Sequence, residues 1–155
     1  MPTVKVHRIV NAPIEEVWAS WDDFGNIYKF NPSITASRLL SGDSTGIGAR
    51  RECDLKDGKN WVREKIVDYV PLKRMEINIY ESSMPIKSMS AFITFRAITD
   101  AKTEVVFTAE FEPKMGLLGK LMVPLMKRQF RPMLASMLDG NADYVEKGVL
   151  VSHAA

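Results

Sequence analysis

A chain of 155 residues with a formal net charge of +2 has the length of one packed core, and 46% apolar with 26% charged residues is ordinary globular composition. One cysteine excludes an internal disulfide and any cysteine-based zinc cluster, and two histidines at opposite ends, His7 and His153, argue against a histidine-rich metal centre or a histidine-based triad. The charge is too small to point to nucleic acid. No apolar run reaches the roughly 18–20 residues of a membrane span. The alternating start Met1–Arg8 lacks the apolar core of a signal peptide, so the expected compartment is the cytoplasm.

In chain order, Thr3–Val10 reads as a strand. Asn11-Ala12-Pro13 stops it and opens a helix, because proline suits a first helical turn whose N–H groups are unpaired anyway. Glu15 and Glu16 complement the helix dipole, and Ile14, Val17, Trp18 and Trp21 recur at the spacing of one buried face. A second short helix is expected over Phe24–Phe30, ended by Pro32. Six strands follow: Ile34–Ser41, Ile47–Leu55, Asn60–Val70, Arg74–Ser82, Lys87–Thr99 and Thr103–Glu112. The links between them are short, which demands antiparallel neighbours. From Met115-Gly116 a helical pattern runs to about Lys147, with Pro124 and Pro132 predicting a kink or a late start. No repeat or linker divides the chain, so residues 1–155 are expected to form one domain.

This order predicts an α+β fold: a curved seven-stranded antiparallel sheet wrapped around a long C-terminal helix, with two short helices after the first strand. An internal cavity is expected where sheet and helix do not interpenetrate.

Alternation assigns the inner face. On the last strand it holds Val105, Phe107, Ala109 and Phe111, and on the strand before it Met89, Ala91, Ile93, Phe95 and Ala97. A three-residue loop at Asp100–Lys102 would set Phe95 opposite Phe107; Met75, Ile77 and Ile79 continue the surface. Asp57-Gly58 signals a two-residue type I′ turn. Counting back from it, Cys53 faces Val62, Arg51 faces Glu64 and Ala49 faces Ile66. Ile47, Ala49, Cys53 and Leu55 are apolar, so an Arg–Glu pair stands alone on the inner face. The final helix turns Met122, Met126, Phe130, Met133, Met137, Asn141 and Tyr144 inward, widened by Leu121, Leu125, Leu134 and Leu138. Such a broad stripe predicts a helix largely buried by the sheet. Lys127, Arg128, Arg131, Asp139 and Asp143 suit its solvent side.

Val10-Asn11-Ala12-Pro13-Ile14-Glu15-Glu16-Val17-Trp18, followed by Asp23-Phe24-Gly25 and Asn31-Pro32, resembles the opening of the START-like, Bet v 1-type helix-grip superfamily. Gly46 to Arg51, Asp57-Gly58 and Val62 to Ile66 resemble a strand pair of its polyketide cyclase/dehydrase and lipid transport (SRPBCC) branch; Asn141 to Glu146 resembles its helix end. The resemblance covers nearly the whole chain and implies a small-molecule cavity rather than a particular reaction. It also implies ligand-pocket positions at Cys53, Leu55, Glu64, Met137 and Asn141, which match such positions in related plant hormone receptors.

Binding or transport of a small, largely apolar ligand, of lipid, polyketide or aromatic type, is therefore the expected function. The expected wall is the inner-face set: Arg51, Cys53, Leu55, Glu64, Met75, Ile77, Ile79, Met89, Ala91, Ile93 and Phe95. Phe107, Ala109 and Phe111 extend it, and Met126, Phe130, Met133, Met137 and Asn141 face it from the helix. Several of the nine methionines would then form an adaptable wall, since Met repacks readily around varied apolar shapes. A cyclase, aromatase or dehydratase using Glu64 and Arg51 is the alternative; a structural cross-strand ion pair and a protein-interaction module also fit. Cys53 reads as a small buried hydrophobe, and Tyr28, Lys29 and Asn31 as solvated loop rather than cavity rim. His7 reads as a strand residue and His153 as part of a frayed tail. No metal or cofactor is expected, and the chain would be a monomer or homodimer. The connection Ser82–Lys87 and the Asp57-Gly58 turn are the expected mobile walls. Between Glu112 and Asp139 no carboxylate occurs, while Lys114, Lys120, Lys127, Arg128 and Arg131 stand beside Leu117, Leu118, Leu121 and Met122. This pattern fits contact with anionic lipid or a partner, but the favoured reading is a solvated helix face.

Overall fold

A computed structural model describes residues 1–152; His153 lies outside the described residues. The strands are β1 (Thr3–Val10), β2 (Ile34–Leu39), β3 (Arg50–Leu55), β4 (Trp61–Val70), β5 (Arg74–Ser82), β6 (Ile86–Thr99) and β7 (Lys102–Pro113). They form one antiparallel sheet in the order β1-β7-β6-β5-β4-β3-β2. Helix α1 (Ile14–Asp22) and a 3-10 segment (Phe24–Lys29) follow β1, and α2 (Gly116–Leu121) and α3 (Val123–Lys147) end the fold. His7 is an exposed residue of β1.

The sheet begins its third strand at Arg50 rather than Ile47. Gly46 and Gly48 adopt φ of +83° and +92°, so the chain is still turning there, and Ile47 is exposed.

The β3–β4 loop has four residues, not two. Leu55 N–H donates to Asn60 C=O (2.9 Å), and Gly58 N–H donates to Leu55 C=O (3.1 Å). Gly58 takes φ +77° while Asp57 stays out of the left-handed region, which a type I′ turn cannot do. The Asp57 carboxylate holds the loop by accepting the N–H groups of Lys59 (2.9 Å) and Asn60 (2.8 Å). A four-residue loop about the same midpoint preserves the register. Cys53 faces Val62 and Arg51 faces Glu64, while Ile66 N–H donates to Ala49 C=O at 3.0 Å.

At the β6–β7 hairpin the loop length does change the pairing. Thr99 pairs with Lys102, and an irregularity follows at Ala97, so Phe95 faces Val105 and Phe107 faces Ile93. The shift from the expected Phe95–Phe107 pair is two residues, which leaves both rings on the inner face.

One end of the interior is filled by aromatics. Trp18 meets Phe95 with ring centres 5.0 Å apart, and Trp21 meets Phe30 at 5.0 Å and Phe107 at 6.1 Å. This seats α1 on β6 and β7.

The long final helix is divided at Met122. Pro124 sits in the first turn of α3, where its missing N–H costs nothing, and Pro132 lies within the helix. α3 packs chiefly on β1. Its C-terminal half is buried through Leu134, Met137, Leu138, Asn141 and Ala142. Met122, Leu125 and Met133 are exposed, against the expectation of a largely buried stripe. The close approach occurs at Gly140, where a Cβ would lie 2.1 Å from the Phe30 carbonyl oxygen. The first turns of α3 have no such seat.

Candidate functional site

Because α3 leans on β1 at one edge of the sheet, the inner face of β3 to β6 is left partly uncovered. A cavity of about 130 Å³ occupies the gap. Arg51, Leu55, Val62, Glu64, Ile77, Ile79, Met89, Ala91 and Phe107 line it from the sheet. Phe130, Met133, Leu134 and Met137 close it from α3, and Met84 and Ile86 from the β5–β6 connection. Trp21, Ile27, Asn31, Ser33 and Ile34 complete the wall.

Eight residues expected on this wall lie elsewhere. Met75, Ile93 and Phe95 are on the inner face but buried at the aromatic end, under residues such as Trp18. Ala109 is fully buried between Val4 and Ala91 in the sheet register. Phe111 is covered edge-on by Phe130 at 5.1 Å. Met126 is half-buried against the core, Cys53 is wholly buried, and Asn141 is turned toward α1, donating to Ser20 Oγ at 2.9 Å.

Of the wall residues missed from sequence, Trp21, Ile27, Met84 and Leu134 come from the helices and the β5–β6 connection, and the others from the sheet and the turn before β2. Val62 sits on the inner face, where alternation points to it, whereas Ile86 is out of phase with Met89 and Ala91 and reaches the cavity through the irregularity between Ile86 and Ser88. Asn31, expected as solvated loop, comes with Ser33 and Ile34, the first residue of β2, from the turn that leads into that strand. There Asn31 is buried and its Oδ1 accepts the Ser33 N–H at 3.0 Å, a turn that tucks the segment inward. Tyr28 and Lys29 are half-buried and off the cavity wall.

Arg51 is only 3% exposed and is held from three sides. Its Nε donates to Glu64 Oε2 at 2.5 Å, its Nη1 donates to the Phe24 carbonyl at 2.8 Å, and its guanidinium carbon lies 3.9 Å from the Phe24 ring centre. A guanidinium suits this site because its planar fork bonds a carboxylate and stacks on a ring at once. An irregularity in the β4–β5 pairing falls between Arg63 and Glu64, bending the strand where the carboxylate enters the cavity. Glu64 Oε1 accepts no hydrogen bond among the described residues, so one carboxylate oxygen stays available. The Cys53 thiol lies 3.9 Å from Oε2. Burial, then the Glu64 charge, pushes that thiol far above the usual range, so it is no nucleophile. Among the described residues, no three His, Cys, Asp or Glu side chains cluster to hold a metal, and no helix is long and apolar enough to cross a membrane.

The sequence profile described as polyketide cyclase / dehydrase and lipid transport matches residues 1–146. The chain belongs to this family. Solved structures agree on the fold. A START superfamily protein from Mycobacterium smegmatis superposes with TM-score 0.79 at 14% identity, covering 95% of this chain and 99% of that one. XoxI from Bacillus cereus gives 0.78 at 15% identity, over 95% and 97% of the two chains. The ZhuI aromatase/cyclase from Streptomyces sp. R1128 gives 0.72 at 16% identity, over 94% and 93%. At these identities the likeness is one of fold: the START-like helix grip. A search of curated protein sequences gives no match.

Proposed function

We propose that this member of the polyketide cyclase/dehydrase and lipid transport family binds one small, mostly apolar molecule in its cavity and releases it unchanged. The observation that carries the reading is a mainly apolar cavity whose one charged point among the described residues is the Arg51–Glu64 pair. Arg51 fixes Glu64 there and leaves one carboxylate oxygen to accept from a ligand O–H or N–H. A buried water needs roughly 10–15 Å³ of such space, so about 130 Å³ admits a ligand on the order of ten heavy atoms. That suits a small aromatic or short-chain polyketide-like molecule better than a two-chain lipid.

A cyclase or dehydratase with Glu64 as base draws support from the same free oxygen. It is disfavoured because Arg51 is the sole other titratable group on the wall, and loss of water needs a proton donor as well as a base. Native mass spectrometry of freshly purified protein, compared with the denatured mass, tests the reading. A retained small molecule that survives incubation unchanged is expected. Protein that emerges empty and takes up no small apolar probe overturns the reading. Turnover of the retained molecule that Glu64→Gln abolishes would replace it with the enzyme.

A further inference from the structure

The chain reverses between β7 and α2 in a way that builds an exposed knuckle. Met115 and Gly116 both take left-handed backbone, with φ +75° and +53°. Such a conformation is unfavourable for methionine and persists only where the surroundings impose it. Here the constraint is Gly119, the one buried residue of α2: a Cβ on it would lie 2.1 Å from the Lys114 carbonyl oxygen. The helix is thus pressed onto the end of β7 by a glycine, and its leucines point away from the protein. Leu117 is 81% and Leu121 77% exposed, and Met115, Leu118, Met122 and Leu125 are exposed beside them. Contiguous exposed apolar side chains of this kind mark an interaction surface.

The charges around the knuckle indicate its partner. Five cations and no carboxylate lie between Glu112 and Asp139; subtracting them from the net +2 leaves the rest of the chain at −3. Arg131 is committed, donating to the Lys5 carbonyl at 3.0 Å. Lys114, Lys120, Lys127 and Arg128 form no ion pair among the described residues. The nearest carboxylate, Glu112, is paired with Lys87 at 3.4 Å. A second copy of the chain would bring the same cations against these and be repelled. A bilayer with anionic headgroups offers negative charge at the depth of the lysines and hydrocarbon at the depth of the leucines.

We propose that α2 and the first turns of α3 dock on an anionic membrane surface, with Leu117 and Leu121 inserted and Lys114 and Lys120 on the headgroups. The knuckle is joined to the cavity on both sides. Lys114 N–H donates to the Pro85 carbonyl (3.2 Å), between the cavity residues Met84 and Ile86, and α3 continues into Phe130 and Met133 on the wall. Docking would therefore bring the cavity's rim to the bilayer, where apolar molecules partition.

Sedimentation with phosphatidylcholine vesicles, with and without phosphatidylglycerol, tests this on the protein as purified, whatever its cavity holds. Binding is expected only to the anionic vesicles at low ionic strength, with release by added salt. The pair Leu117→Asp/Leu121→Asp, and separately Lys114→Glu/Lys120→Glu, should each weaken binding by more than about tenfold with an unchanged melting temperature. Ile47→Asp, exposed at the opposite end of the sheet, should bind as wild type. No binding to anionic vesicles at low salt, equal binding to neutral ones, or an equal loss in Ile47→Asp overturns the proposal. So does a wild-type dimer that Leu117→Asp/Leu121→Asp dissociates, which would assign the face to a second copy.

Discussion

Arg51 and Glu64 meet across β3 and β4 at 2.5 Å, with the guanidinium also bonded to the Phe24 carbonyl and stacked on its ring. The pair therefore fixes the segment after α1 to the sheet as well as furnishing the cavity's polar point. Arg51→Ala strands a carboxylate that is nearly buried and should cost about 3–5 kcal/mol in urea unfolding. The double variant Arg51→Met/Glu64→Leu should be more stable than Arg51→Ala alone, because no unpaired charge remains.

Ala91 lies on the cavity wall, in register with Ile77 on one side and Ala109 on the other. Ala91→Leu places its added carbons in free space instead of against neighbours. Stability should stay within about 1 kcal/mol of wild type, while retained ligand disappears from the native mass spectrum.

Gly140 is a place where helix propensity and packing disagree. Alanine is intrinsically better in a helix by about 1 kcal/mol. At Gly140 its Cβ would lie 2.1 Å from the Phe30 carbonyl oxygen, a backbone atom that cannot swing away. Gly140→Ala should lower the melting temperature, with a net loss of roughly 1–3 kcal/mol.

Cys53 should be inert while the protein is folded. Burial and the neighbouring Glu64 keep its thiol protonated well above neutral pH, and it has no exposed surface. A thiol-reactive disulfide reagent at pH about 8, near the ordinary thiol pKa, should react only after denaturant is added. Prompt reaction in native buffer would contradict the packing around β3 and β4.

Asp57 provides a pH-dependent loop. Hydrogen bonds from Asn60 N–H and then Lys59 N–H hold its carboxyl below the usual carboxylate range. The anchoring is complete above the ordinary aspartate pKa of about 4 and is lost as pH falls through the lower folded-state value. The protection of the Lys59 and Asn60 amides, taken against the intrinsic exchange rate at each pH, should fall on acidification, and in Asp57→Ala it should be low throughout.

The residue pair at the centre of the site is readable from sequence because it depends on parity. Loops of two and four residues about the midpoint of Asp57-Gly58 give the same facing residues, so a wrong turn type left Arg51 opposite Glu64. The Phe95–Phe107 pairing had no such protection, since loops of two and three residues differ in register. The phase of α3 is likewise legible and its burial is not. Met133 and Met137 have the same periodic signature, yet one is exposed and the other buried, because the helix closes on the rest of the fold at Gly140, against the Phe30 carbonyl, one turn beyond Met137. The α2 knuckle left only its charge pattern in the sequence. The left-handed Met115 and the contact at Gly119 are tertiary facts that periodicity does not encode.

The position of β1 at the sheet edge, with β7 as its one strand neighbour among the described residues, has a consequence for biosynthesis. The strand made first gains its partner almost last: Val10 pairs with Thr103, and Thr3 with Glu110. At typical translation speeds that separation is a wait on the order of 5–20 s. During it the Val4–Val6–Val10 face has neither its neighbouring strand nor α3 to cover it. Lys5, which alternates with those valines, and Arg8, a charge on their own face, are the residues that would discourage premature edge-to-edge pairing in the nascent chain.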